Sequence, residues 1–492
     1  MVKKEQITEL VMTEEETLVE SKENYFQVDF LKAVMIFLVI FDHMVSWGIK
    51  SDIGVTLWER ISIPVFLVVM GFNMGSSYQQ KGDLSLKELY SWKYFKRKIL
   101  RYIVPFLVLY GFSTLIGLIL YSFNITAMYH GQYYPQHGFI QLFTGILPFW
   151  GPGNWFIPLL FQSILIIPLL YKAFTKKPVL TLILCFAIEI AMQLTVFFFI
   201  GEITSWQEVH YINIFMNSIL FYLSAVGLGM WFSFGYKLED KRNFFMWFLY
   251  PISLAFIVAY QFFGFRIMIG DVPLLRGDYH FLIFPYSAFL FLLAMKLLPQ
   301  KSDNPISRAI SLIGKSTYHI LLIQILGYGM IYALRGTHYI IDVGFTPLDA
   351  LNLIYAWLLF IPFGILWYKI DQMNQRKDLI RRILYYFNLF LSYIIIVYAL
   401  FVALPFNDWV PIPFVMILIY AGLTLIMIFS FKKRLRTTTI ALWTSFLIYN
   451  FIITILYVAI LPPTEYLIQN ISIGIFLIFV IIGTVLEYTY RK

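Results

Sequence analysis

Cysteine is almost absent from this chain: Cys185 is the only one in 492 residues. A disulfide framework and a cysteine-based metal site are therefore both excluded. Charge is scarce too, at 13% of residues, about half the share usual in soluble globular proteins. With 60% hydrophobic residues and a mean hydropathy of +0.75, the chain lacks the polar surface that a soluble fold of this length needs. His-x-x-x-His spacing, a Gly-rich phosphate loop and a Gly-x-Ser-x-Gly elbow are missing as well. Their absence removes the usual signatures of zinc hydrolases, P-loop enzymes and serine hydrolases.

What the chain has instead is apolar runs that recur from residue 26 to its end. Each is about 20 residues long, enough to cross roughly 30 Å of hydrocarbon as a helix. Spans are expected near 26–48, 60–78, 100–122, 154–173, 179–200, 211–233, 244–264, 280–298, 309–334, 347–370, 383–404, 410–431, 440–460 and 467–488. The reading is an all-α polytopic membrane protein with about 14 transmembrane helices. With the N-terminus on the cytoplasmic side, the 37 lysines and arginines fall on inner segments, except Lys50, Arg60, Arg266, Arg276 and Arg335. The positive-inside rule then puts the N-terminus and the C-terminus both in the cytoplasm. The net charge of +9 belongs to this bias and to attraction for anionic membrane lipid, rather than to nucleic acid.

Residues 1–24 read as a polar cytoplasmic tail without the apolar core of a cleaved signal peptide. Residues 25–370 form a ten-helix membrane module that holds nearly all the polar residues placed within spans. A basic cytoplasmic linker, 371–382, leads to a plainer four-helix membrane extension, 383–492. The inner loop 79–99 is basic and partly amphipathic, suited to lie along a membrane surface. The outer segment 122–153 has no lysine or arginine and is rich in aromatic and amide residues.

The first span, "FLKAVMIFLVIFDHMVSWG", carries Lys32, Asp42 and His43 where hydrocarbon is expected. Ionisable groups there cost a few kcal/mol each, even on lenient insertion scales. Lys32 and His43 are eleven residues apart, hence about 20° apart around a helix and about 16 Å apart along it. They share one stripe, and Asp29 is placed to pair with Lys32. Asp42 points about 100° away from His43, so it is not automatically the partner of the imidazole. A neutral imidazole suits proton abstraction from a hydroxyl, and a cation one layer below suits a phosphate-bearing group. The plainer readings are a histidine bonded between helices and a lysine that snorkels to the interface.

Glu189, in the middle of the fifth span, is a functional candidate by position, or a structural acid with a partner. His130, His137, His280, Asp271, Arg276 and Asp278 fall on outer surfaces with Tyr133, Tyr134, Trp150 and Trp155. Carboxylates and aromatic faces of this kind can hold a sugar, although tryptophan and tyrosine also gather at membrane interfaces with no ligand at all.

Several stretches taken together resemble the acyltransferase-3 family of integral membrane acyltransferases. "KAVMIFLVIFDH" has that family's basic residue, ten residues and histidine, with lysine at Lys32 in place of the commoner arginine. "ISIPVFLVVMGFNMG" is similar to its second helix at Pro64, Phe66, Gly71 and Phe72, with Met70 in place of serine. "FKRKILRYIVP" is similar to its basic motif at Lys98 and Arg101, with Arg97 beside them. Trp155–Phe156 resembles its Trp-Phe segment, and "LIGKSTYHILLIQ" its late helix, with Gln324 in place of a common histidine.

The resemblance implies transfer of an acyl group, usually acetyl, from cytoplasmic acyl-CoA to a hydroxyl of an outward-facing glycan or lipid-linked sugar. No cofactor would be bound permanently; acetyl-CoA would be the donor substrate. On this reading His43 is the general base and Lys32 and Asp42 count with it as catalytic candidates, although Asp42 departs from the small residue common before the family's histidine. Arg97, Lys98 and Arg101 would bind the acyl-CoA phosphates, and Trp155, His137, Asp278, His280 and Glu189 would face the acceptor. The setting it implies is a prokaryotic cytoplasmic membrane, with partner glycan-assembly proteins. Fourteen spans with both ends inside also suit a transporter or a lipid-linked glycan flippase. The crowding of polar residues into the first ten spans counts against that alternative.

Overall fold

The computed structural model describes residues 25–82, 84–120, 152–200, 217–275, 279–335 and 347–372, together with Tyr386, Leu389, Phe390, Tyr393, Ile394 and Val397. Within them the fold is helical apart from one ribbon. That ribbon pairs β1 (Met268–Ile269) antiparallel with β2 (Val272–Pro273), Met268 opposite Pro273 and Ile269 opposite Val272.

The helices follow the apolar runs. They are α1 (Phe26–Met44), α2 (Trp47–Asp52), α3 (Ser62–Gln79), α4 (Leu86–Leu89), α5 (Trp92–Lys98), α6 (Val104–Leu120), α7 (Phe156–Lys176) and α8 (Pro178–Ile200). Then come α9 (Leu223–Ser233), α10 (Met246–Phe263), α11 (Phe284–Leu297), α12 (Pro305–Arg335) and α13 (Pro347–Asp371). Ser85 caps α4, accepting from the Glu88 amide while the Glu88 carboxylate accepts from Ser85 N, a closed capping box. A π-turn at Ile99–Ile103 joins α5 to α6 and carries Arg101.

Six helical stretches are long and apolar enough to cross a membrane: Val55–Gln79, Leu86–Leu118, Phe156–Lys176, Pro178–Phe198, Lys241–Phe263 and Pro305–Ile331. The first span has the length but carries three charges, Asp29, Lys32 and Asp42. Two expected spans are shorter as helices. At 211–233, Ser218 is extended and its side chain accepts from Leu220 N, so a new helical turn begins at Ile219 and continues as α9. At 280–298, Pro285 stands in the first turn, the position where a missing N–H costs least, and fixes the start of α11 at Phe284. The four spans expected beyond residue 382 lie outside the described residues, save for the six helical positions from Tyr386 to Val397.

The chain forms two compact units that alternate in sequence. The first gathers Met1–Asp42, Trp47–Pro105 and Trp155–Lys315; the second gathers His43–Ser46, Phe106–Asn154 and Ser316–Lys492. At the centre of the first, α3 and α9 cross with their backbones touching. A Cβ on Gly229 would lie 1.9 Å from Val68 O, and one on Gly71 would lie 2.1 Å from Val226 O. Without a hydrophobic drive between helices in lipid, such small residues give van der Waals contact its range. Around that pair, α8 and α10 turn large apolar side chains outward, among them Ile183, Phe198, Phe248 and Phe263. In a membrane protein that is the lipid face. In the second unit α12 and α13 approach as closely, with Gly364 against Ile320.

Replacing Gly229 by valine puts a branched side chain where a carbonyl already sits. The expected result is a fall in the detergent melting temperature, matching the 1–3 kcal/mol or more (about) that overpacking costs. An unchanged melting curve would contradict the close crossing of α3 and α9.

Candidate active site

His43 lies in the last turn of α1. Its Nδ1 is 3.3 Å from Gln324 Nε2, and its ring meets Tyr328 edge-on at 5.7 Å between centroids. Tyr328 is in turn held edge-on by Phe360 of α13 at 5.0 Å. The third wall is Gly153, in the left-handed region at φ 92°, where a Cβ would come within 3.3 Å of His43 Cε1, 3.4 Å of Leu321 and 3.6 Å of Ile325. Leu321, Gln324, Ile325 and Tyr328 follow the i, i+3, i+4, i+7 spacing of one helix face. The apolar stripe of α12 thus delivers one polar group, a fully buried glutamine, to the imidazole. Beside Gly153, Asn154 is buried with neither end of its amide hydrogen-bonded among the described residues.

In the first unit, Lys32 is bound by Asp29 at 2.8 Å, one helical turn earlier. Lys315 of α12 reaches the other oxygen of Asp29 at 4.0 Å, and Arg101 lies within electrostatic reach of Lys32. Gly314 makes this possible, because a Cβ there would sit 2.2 Å from Asp29 O. Two cations, Lys32 and Lys315, therefore share one carboxylate, with Arg101 near Lys32, which leaves a net positive site for an anion.

Asp42 is committed elsewhere than to its neighbour. Its Oδ1 accepts from Lys50 Nζ at 2.7 Å and lies 3.6 Å from Arg60 Nη2, while Lys50 also donates to Asp42 O at 2.9 Å. Glu59, fully buried, lies 3.6 Å from Arg60 Nε. The reversal of the chain after α1 brings these two cations back onto the end of the helix. Nδ1 of the imidazole meets Gln324 instead.

The remaining sequence-expected residues are dispersed. Lys98 is half-buried, with Met74 Sδ at 2.8 Å and the Tyr94 and Tyr102 rings at 5.7 and 5.5 Å. Arg97 and Arg101 are exposed, Arg101 over the Tyr102 ring at 5.4 Å. Trp155 stacks between Tyr222 at 5.6 Å and Tyr279 at 5.9 Å, so what it offers a ligand is its edge. Arg60 donates to the Tyr279 hydroxyl at 3.3 Å, tying that aromatic stack to the Asp42 cluster. Glu189 accepts from Ser224 N at 3.2 Å and from Ser224 Oγ, bracing α8 against α9. His280 is buried against Phe256 at 5.3 Å, its Nδ1 without a hydrogen-bond partner among the described residues. His319 has a carboxylate partner, Asp371 at 2.7 Å, which also accepts from the Tyr386 hydroxyl. His130, Tyr133, Tyr134, His137, Trp150, Arg276 and Asp278 lie outside the described residues.

Two features escaped the sequence reading. Lys172 and Lys176, with Gln79, Gly82, Tyr171 and Thr175, line an open cavity of about 410 Å³; only their i, i+4 spacing near the end of α7 hinted at a shared face. Asn154 was hidden by the tryptophan beside it.

A family model described as an acyltransferase domain matches residues 25–346, most of the chain, including Lys32, Asp42, His43 and Gln324. The chain belongs to the acyltransferase-3 family. No curated protein and no solved structure matches it.

The Asp42 cluster is open to direct test. Asp42→Ala would leave Lys50 and Arg60 buried with one carboxylate fewer, at a cost of about 3–5 kcal/mol. Thermal melting should fall sharply, and the double variant Asp42→Leu with Lys50→Met should recover much of it. Equal melting of wild type and Asp42→Ala would show that the cluster contributes nothing.

Proposed function

We propose that this membrane acyltransferase moves an acetyl group from acetyl-CoA, taken from the cytoplasmic side, to a hydroxyl of an extracytoplasmic glycan or lipid-linked sugar. The observation that carries the reading is α1 itself. It holds His43 against Gln324 and Tyr328 and, eleven residues earlier, Lys32 in a cluster with Asp29, Lys315 and Arg101. Eleven residues of an ideal helix rise about 16 Å. The Lys32 end supplies cations for the phosphates of the donor, with Arg97, Lys98 and Arg101 along α5 and the π-turn. The pantetheine arm then carries the thioester toward His43.

In the transfer, the imidazole lone pair takes the proton of the acceptor hydroxyl as its oxygen attacks the thioester carbonyl. The tetrahedral oxyanion collapses, the C–S bond breaks, and the CoA thiolate leaves. The imidazolium returns the proton to that thiolate. The products are an O-acetyl ester and free coenzyme A, and the base is regenerated. Fourteen spans with both ends in the cytoplasm would put the donor end of α1 inside and His43 toward the outer leaflet, in a prokaryotic cytoplasmic membrane alongside partner glycan-assembly proteins. The four C-terminal helices would then serve the acceptor or a partner enzyme.

Purified protein in nanodiscs with radiolabelled acetyl-CoA tests the reading. His43→Ala should keep donor binding and lose turnover, by about 10²–10⁴-fold, the usual contribution of a general base. Arg101→Ala should raise KM for acetyl-CoA with little change in kcat. No binding and no turnover of acetyl-CoA by the wild type would overturn the donor assignment and favour a transporter or flippase.

A further inference from the structure

Gln324 is wholly buried, one end of its carboxamide lies 3.3 Å from His43 Nδ1, and its Oε1 has no hydrogen-bond partner among the described residues. A carbonyl oxygen buried without a donor is unfavourable. A carboxamide keeps nearly the same shape after a half-turn about its last bond, so the same pocket accepts Gln324 with Oε1 facing Nδ1. The two settings differ in chemistry. With the amide N–H on Nδ1, the neutral ring carries its proton on Nε2, and that nitrogen can only donate. With Oε1 accepting from Nδ1–H, the ring proton is held on Nδ1 and the lone pair resides on Nε2. Only the second is a base toward a hydroxyl approaching Nε2.

We propose that Gln324 is a positioning residue: its carbonyl holds His43 in the Nδ1–H tautomer and so makes Nε2 the proton acceptor. This rests on His43 being the base. Tyr328 meets the ring edge-on and Gly153 lies close beside its Cε1, and Gln324 fixes its proton. During transfer the acceptor proton moves to Nε2, the Nδ1–H stays bonded to the Gln324 carbonyl, and the proton on Nε2 leaves with the thiolate. A neutral acceptor stabilises the imidazolium less than a carboxylate would, which suits a site among apolar side chains where a further charge is costly. The charged groups nearest along α1 are Asp42 with Lys50 and Arg60, which are bonded to one another; on α12 the titratable neighbour is Tyr328.

The test uses the full-length protein in nanodiscs, labelled with [15N]histidine, with acetyl-CoA as the donor probe. His43→Ala identifies the His43 resonances. The wild type should show the Nδ1-protonated tautomer, and Gln324→Met, similar in shape, should lose it. Turnover of Gln324→Met should fall on the order of 10–100-fold, the loss usual for the orienting partner of an imidazole, with KM for acetyl-CoA unchanged. Gln324→Glu should restore turnover at alkaline pH. Its carboxylate favours the imidazolium, so the acid limb of its pH–rate profile should move to higher pH by about one unit or more. An Nε2-protonated His43 in the wild type overturns the proposal, and that spectrum needs neither a folded variant nor turnover. Wild-type kcat in Gln324→Met would overturn it equally. Full turnover by His43→Ala would instead sink the base reading itself.

Discussion

A charge or a polar ring placed in an apolar helix must be answered within hydrogen-bond or ion-pair range, because neither lipid nor a close-packed core will solvate it. Helix α1 is organised by that constraint. Asp29 and Lys32 answer one another across a single turn, with Lys315 as a second cation. Asp42 is answered by Lys50 and Arg60, and His43 by Gln324. The same demand accounts for Glu189 on Ser224 and for His319 on Asp371. Glycine makes several of these answers reachable: Gly314 against Asp29 and Gly153 against His43 let backbones come near enough for side chains to meet.

The partners also sort the polar residues by what they leave available. Asp42 Oδ1 and Glu189 Oε2 are spent on the fold, and His319 spends a ring nitrogen on Asp371. The Lys32 cluster keeps a surplus of positive charge. His43 is held by a neutral amide, which orients the ring without fixing its charge. The proposed transfer asks for one anion-binding end and one base, and α1 carries a candidate for each in Lys32 and His43. The aromatic stack of Tyr222, Trp155 and Tyr279 is tied through Arg60 to the Asp42 cluster.

Much of this was legible in the sequence, for physical reasons. Runs such as 156–176 and 178–200 are helices because lipid leaves a single chain segment no other way to pair its backbone groups. Lys32 and Asp29 were legible because their pairing is local. The basic-x₁₀-histidine spacing and four companion stretches pointed to the family that the match over 25–346 then showed. What could not be read was long-range partnership. Gln324 is 281 residues from His43, and nothing in either helix alone says that they meet. The sequence shows no partner for Asp42 because its partners come from the reversal after α1, on Lys50 and Arg60, which read as outer-loop charges. Two expected spans proved to be shorter helices because Ser218 and Pro285 start them late, and a count of apolar residues is blind to where a helix begins.

The most direct measurement concerns the direction of transfer along α1. Sealed inverted and right-side-out membrane vesicles containing the protein would be supplied with radiolabelled acetyl-CoA on the outside only. A donor that enters at the Lys32 end from the cytoplasm requires label in membrane glycan or lipid-linked material from inverted vesicles and none from right-side-out ones. Label from right-side-out vesicles alone would place the donor at the His43 end and contradict the assignment of the two stations.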